Sequence, residues 1–262
     1  MAKRYEQIAA KLKAQIDDGG LPPGERLPAE TELADIYEVS VPTVRQAVGV
    51  LQAQGLVEKQ HGRGTFVRRQ PVPATRDNLR HQWEKDRARE PETERRRTGA
   101  TEHDTGLKVN DLAFAAKYEQ KPADADLAEA FGLPEGTMLL ERTYRTRGSG
   151  ERAPFNVARS YLVLDMVAGN PDLLREELEP WPGGTQNQLF TVGIELDRIV
   201  ETFRARPPTP EETEELGLPG GVSVVVLRKT CIDTTDRVVE VADVILPGDR
   251  TKMVYTTKLN RW

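Results

Sequence analysis

The segment from Ser40 to Val67 constrains this chain most. Val44, Ala47, Val48 and Leu51 recur at i, i+3, i+4 and i+7, which is the apolar stripe of one helix. Ser40 stands just before it as the expected N-cap, and Pro42 falls in the first turn, where a missing N–H leaves nothing unpaired. Gly55 ends the helix. Leu56-Val57 and Thr65-Phe66-Val67 are strand-like and flank His61-Gly62-Arg63-Gly64. The expectation is a helix followed by a two-stranded wing with a flexible, basic tip.

Two further helices precede it. Tyr5, Ile8, Ala9, Leu12 and Ile16 share one helical face, Gly19-Gly20 stops that helix, and Pro22-Pro23-Gly24 makes a turn. A second helix is expected from about 29 to 37, burying Leu33, Ile36 and Tyr37. The third helix then turns Arg45, Gln46 and Gly49 outward, with Thr43 at its N-terminal edge.

A helix of this width fits the major groove of DNA. Arg45 can give two parallel hydrogen bonds to guanine and Gln46 two to adenine, while Ser40 and Thr43 suit a phosphate or a thymine methyl. Arg63 between glycines can enter a minor groove, because nothing bulky blocks the backbone's approach. The bland alternative is that Arg45 and Gln46 are ordinary solvated helix residues. Their place between a capped helix-turn-helix and a basic wing favours base contact.

The stretches Pro23-Gly24-Glu25-Arg26-Leu27-Pro28-Ala29-Glu30, Val39-Ser40-x-x-Thr43-Val44-Arg45-Gln46-Ala47, Gly55-Leu56-Val57 and Gly62-Arg63-Gly64-Thr65-Phe66-Val67 occur in order over about sixty-five residues. This resembles the GntR family of bacterial transcription regulators, and the wing looks most like its HutC subfamily, whose members carry a C-terminal UTRA effector domain. The resemblance implies DNA contacts at Ser40, Thr43 and Arg45, and at Gly62, Arg63 and Gly64, with His61 beside them. Two positions depart from it: Val41 stands where the family usually has arginine, and Thr31 where it often has a polar residue or arginine. The operator is therefore expected to differ from the family's usual core.

Charge supports the division of labour. Residues 1–110 carry 19 Lys/Arg against 17 Asp/Glu, and the remainder carry 18 against 25, which together give the net −5 of the chain. The front is the likelier binder of an anionic polymer. Cys231 is the single cysteine, which excludes an internal disulfide and fits a reducing cytoplasm. No apolar run is long enough to span a bilayer. His61, His81 and His103 show no metal spacing, so neither metal nor cofactor is expected.

The domains expected are 1–70 for DNA binding, 71–110 as a charged linker interrupted by Pro71, Pro73 and Pro91, and 111–262 for ligand sensing and dimerisation. In the last of these, 124–131 reads as a helix, 138–145 and 155–162 as strands, and the segment 194–205 is followed by a proline-rich helix start at 207–216 and the strands 222–233 and 238–246. The fold class is α+β: a winged helix-turn-helix followed by what resembles a UTRA domain, an antiparallel sheet similar to chorismate lyase. That resemblance puts Arg145, Arg159, Tyr161 and Glu240 in an effector cleft, with Arg142 close by, where arginines could clamp a carboxylate or phosphate. The alternative is that alternate strand residues such as Arg142 and Arg159 face water. Relatives that sense amino sugar phosphates tend to have glutamate at the place of Ala158 and an aromatic at the place of Leu246, so that ligand does not carry over. Cys231 is expected to be a small buried hydrophobe, and Trp83, Trp181 and Trp262 to be packing or interface residues.

The function expected is a ligand-responsive repressor that binds a two-fold DNA operator as a homodimer, with a small-molecule effector and no membrane partner. Its rivals are an architectural or plasmid-maintenance protein that binds DNA without sensing, and an enzyme of chorismate-lyase type. No nucleophile or acid–base pair stands out for the latter.

Overall fold

The computed structural model describes residues 3–60, 62–69 and 71–260. In chain order the elements are α1 (Arg4–Asp17), α2 (Glu30–Tyr37), α3 (Val41–Ala53), β1 (Val57–Gln60), β2 (Gly64–Val67), β3 (Ala74–Asp77), α4 (Arg80–Arg87), α5 (Glu92–Arg95), α6 (Ala100–Thr105), β4 (Leu112–Pro122), α7 (Ala125–Phe131), β5 (Met138–Gly148), β6 (Asn156–Val163), α8 (Leu164–Val167), α9 (Gly184–Thr191), β7 (Leu196–Arg206), α10 (Pro210–Glu215), β8 (Val224–Asp233), β9 (Val238–Pro247) and β10 (Thr251–Val254). The chain divides into two compact units, 1–72 with 207–223, and 73–206 with 224–262.

In the first unit, α1 and α3 pack around Ile8, Leu12, Leu33, Val44, Ala47, Val48, Leu51 and Val57, all buried. These are the positions the helical spacing selects, because residues three and four apart lie on one face. Ile36 differs from expectation: it is 64% exposed, since the short α2 turns only Leu33 and Ala34 fully into the core. α2 ends on Glu38 in the left-handed conformation, which makes the turn into α3. Ser40 is the N-cap residue of α3 by backbone conformation, but its hydroxyl pairs with Thr43 Oγ1 at 2.9 Å instead of capping the helix N–H groups. β1 and β2 pair antiparallel from Val57↔Val67 to Gln60↔Gly64, forming the wing. The segment 207–223 also belongs to this unit; it buries Leu216, Leu218 and Val222 and carries α10, closed by a reciprocal Thr209–Glu212 cap.

The second unit is built on a six-stranded antiparallel sheet in the order β4-β5-β6-β9-β8-β7. Residues directly opposite one another share a face. One row therefore crosses all six strands on one face: Tyr118, Arg142, Ser160, Ala242, Lys229 and Glu201. That face lies under α4, α8 and α9, with Leu140, Leu162, Val167, Leu189 and Cys231 in its apolar core. The other face carries α7 over Leu139, Tyr161, Val163 and Val241.

The stretch 71–110 is not a solvated linker. β3 pairs parallel with β10, and α4 to α6 follow it within the second unit. Several of its charges are paired within the unit. Arg80 is paired with Asp104, Arg76 stands 3.5 Å from Glu201, and Arg87 donates to the carbonyls of Arg95 and Thr98. Trp83 stacks at 4.4 Å on His103 with the Arg87 guanidinium over its ring.

Candidate nucleic-acid interface and sensing sheet

Thr43, Arg45 and Gln46 lie on the side of α3 away from Val44, Ala47 and Leu51, with Ser40 at its start. The Arg45 side chain is 65% exposed, and its Nε and Nη2 both donate to Glu30 Oε2, at 3.0 and 2.8 Å. Glu30 opens α2 and is the last residue of the Leu27-Pro28-Ala29-Glu30 run. At the wing tip, Gly62 has φ +71° with open space around it, and Arg63 N–H donates to the Gln60 carbonyl at 3.0 Å. Gly64 has φ +119°, and a Cβ there would meet Arg26 Nε at 2.6 Å, so the guanidinium of Arg26 lies against the wing backbone. Arg63 reaches back over the Phe66 ring at 5.8 Å. His61 lies outside the described residues. Every described residue expected at the DNA surface thus lies on α3, at its start, or on the wing.

The residues expected in the effector cleft are divided. Strand alternation puts Arg142 and Glu240 on the helix-covered face and Arg145, Arg159 and Tyr161 on the other. The five do not line one cleft. Arg142 has no exposed surface and donates to Gln188 Oε1 (2.6 Å), Ser160 Oγ (2.6 Å), Thr185 Oγ1 (3.3 Å) and Glu240 Oε1 (3.2 Å). Glu240 Oε1 also accepts from Ser160, and Lys229 Nζ and the Cys231 thiol approach Oε2 at 2.9 and 3.2 Å. Burial alone would raise the Glu240 carboxyl, but Lys229, Arg142 and the Ser160 hydroxyl outweigh it and hold it down at about 2. Burial pushes the Cys231 thiol well up, which makes it inert, in keeping with the packing role expected of it.

On the other face, Lys117, Glu119, Glu141, Thr143, Arg145 and Arg159 surround a shallow pocket of about 160 Å³. Tyr161 lies beside it, buried, with Lys121 Nζ 5.4 Å from its ring centroid. Lys121 also pairs with Glu141 at 3.0 Å.

Sequence reasoning missed Tyr118, Tyr144 and Glu179. Both tyrosine hydroxyls donate to Glu179 Oε1, the Tyr144 bond at 2.9 Å, and Gln188 Nε2 donates to the same oxygen at 2.9 Å. Burial, with Glu179 beside it, pushes the Tyr118 phenol up to about 12. The strand Leu112–Pro122 alternates weakly, and Glu179 sits in a proline-rich loop, so neither carried a signal.

A three-helix unit with a wing, joined to an antiparallel α+β domain, has the architecture of a DNA-binding transcription regulator. Comparison with known proteins bears this out. The family model of bacterial regulatory proteins, gntR family, matches residues 4–67, and that of the UTRA domain matches residues 116–252. The chain belongs to the GntR family of transcriptional regulators and carries a UTRA domain. It is 29% identical to an HTH-type transcriptional regulator of Streptomyces coelicolor, over 98% of this chain and 94% of the relative. It is 24% identical to the HTH-type transcriptional repressor NagR of Bacillus subtilis, over 96% and 93% of the two chains. Among solved structures, a GntR-family transcriptional regulator at 27% identity superposes with a TM-score of 0.63 over 98% of both chains. PhnF from Mycobacterium smegmatis, 21% identical, shares the fold with a TM-score of 0.54 over 96% of this chain and 99% of its own. Among the described residues no helix is long and apolar enough to cross a membrane.

Proposed function

We propose that this regulator is a ligand-responsive repressor of HutC type that binds a two-fold operator as a homodimer. The observation that carries the reading is the outward face of α3, with Ser40, Arg45 and Gln46 exposed and Thr43 half-buried, followed by a wing that exposes Gly62 and Arg63 beside the half-buried Gly64. One α3 reads only a few base pairs, so affinity and register require two copies held at a fixed spacing. The repressor names of NagR and of an arabinose metabolism repressor from Geobacillus stearothermophilus, 40% identical over 27% of this chain, favour repression over activation.

The module about 1–70 docks on DNA, and 111–262 pairs the subunits and senses the effector. Arg145 and Arg159, beside Lys117 and Tyr161, take the anionic part of that effector, because paired guanidinium donors match a carboxylate or phosphate. Arg142 and Glu240 act as structure beneath them. A ligand lowers operator affinity only as far as it binds the free and DNA-bound states differently.

The test is a footprint on the promoter upstream of the protein's own coding region, repeated with candidate metabolites, with the oligomeric state measured in parallel. A single protected two-fold site that a metabolite releases is expected. Uniform affinity for unrelated DNA fragments would point instead to an architectural role, and a monomer at working concentration would end the dimer reading.

A further inference from the structure

Glu30 belongs to no part of the function described so far, yet it holds the side chain expected to read DNA. Arg45 is a long side chain on an exposed helix face, and such a side chain ordinarily samples many rotamers and collects phosphates as readily as bases. Here it is fixed. Glu30 Oε2 accepts from Nε at 3.0 Å and Nη2 at 2.8 Å. The carboxylate is anchored to a different helix, at the first turn of α2, and its side chain is only 27% exposed.

The chemistry of the grip matters. A guanidinium has five N–H donors in a rigid planar fork. Glu30 occupies the edge formed by Nε and Nη2. The opposite edge, formed by Nη1 and the second Nη2 N–H, is left to point along the side chain's axis. Two parallel donors in that position match O6 and N7 of guanine in the major groove. The same carboxylate neutralises the Arg45 charge, which weakens its pull on phosphates at any sequence.

We infer that Glu30 is a positioning residue for Arg45: by clamping one edge of the guanidinium it turns a general DNA contact into a directional guanine reader. The inference rests on the reading of α3 as the base-contacting helix. No DNA contact is assigned to Glu30 itself.

The experiment uses the full-length protein and a pool of randomised DNA duplexes. Wild type, Glu30→Ala, Glu30→Gln, Arg45→Ala and the Glu30→Ala/Arg45→Ala double variant each select from the pool. Binding to a mixed-sequence duplex is also followed against salt. Wild type is expected to enrich a two-fold consensus with one G·C pair per half-site that Arg45→Ala loses. Glu30→Ala should keep the register and the other positions but lose about tenfold in discrimination at that pair. Its salt dependence on mixed-sequence DNA should steepen by roughly one unit, because one cation is released from its partner. Glu30→Gln, nearly isosteric and still an acceptor, should fall between wild type and Glu30→Ala. In the Arg45→Ala background the Glu30 substitution should change nothing further.

Unchanged G·C discrimination in both Glu30 variants overturns the inference. So does a loss spread evenly over all positions with a lowered melting temperature, which is what a merely structural role would give. An additive effect in the double variant also overturns it. If wild type enriches no consensus, the base-reading role of α3 falls and this inference with it; a wild-type consensus indifferent to Glu30 sinks the inference alone.

Discussion

Arg142 Nη2 lies 3.2 Å from Glu240 Oε1 on the covered face of the sheet, and neither side chain is more than 2% exposed. The pair is unequal in its surroundings. Glu240 has a second cation, Lys229, at 2.9 Å, whereas among the described residues Arg142 forms an ion pair with Glu240 alone. Removing the carboxylate therefore takes an ion-pair partner from two cations, the buried Arg142 and the half-buried Lys229, and removing the guanidinium leaves Glu240 still paired with Lys229. Glu240→Gln is expected to cost about 3–5 kcal/mol and Arg142→Met clearly less, as read by denaturant unfolding. Equal losses would show that Lys229 does not compensate.

His81 carries a pH dependence. Burial lowers its tendency to protonate, as does Lys229, but Glu201 and Glu84 at 3.0 and 3.3 Å more than reverse this, and its pKa is raised. A raised basic group adds stability that is complete below its unfolded pKa of about 6.5 and lost as pH rises through the folded value. The melting temperature of wild type should fall from pH 6 to pH 9 by more than that of His81→Gln. Parallel curves would remove His81 from this role.

At the acid end the sign is opposite. Glu240, held down at about 2, contributes stability present above the usual carboxylate range and lost as pH falls toward that value. Between pH 5 and pH 2 the unfolding free energy of wild type should drop more steeply than that of Glu240→Gln, measured by urea titration at each pH.

Gly221 and Gly19 both have positive φ, +90° and +83°, but only Gly221 is crowded: a Cβ there would lie 2.8 Å from Ala53 Cα. Gly19 has nothing within 4 Å. Gly19→Ala should cost about 1 kcal/mol from backbone strain alone. Gly221→Ala should exceed it, in the range of about 1–3 kcal/mol or more, because the obstacle is backbone at the end of α3. Thermal unfolding of the two variants side by side decides this.

Arg145→Ala and Arg159→Ala should leave operator affinity near wild type while blunting release by the effector, followed by DNA binding with and without the metabolite. An unaltered release in both variants would place the effector elsewhere in the unit.

The local elements were legible because their signals are short-range. The apolar period of α3, Gly55 and the wing glycines 62 and 64 each specify backbone geometry within a few residues, and Arg45 and Gln46 followed as the outward face. The strands β5, β6, β8 and β9 were visible as apolar, β-branched runs, but β4 and α9 were not. Leu112–Pro122 is an exposed edge with little contrast between its faces, and Gly184–Thr191 buries polar side chains, Asn187 and Gln188, where periodicity looks for apolar ones.

What the residues alone determined was a winged three-helix module of DNA-binding type, and a sheet-forming partner rich in arginine. Tertiary structure decided where the charges went. Residues 71–110 look like a solvated linker until Arg76, Arg80 and Glu84 meet Asp104, Glu201 and Lys229, partners brought in by folding. Register separated Arg142 from Arg145, because an odd step of three residues along a strand changes face. A charged side chain's fate depends on which opposite charge folding places against it, and no local pattern encodes that distance.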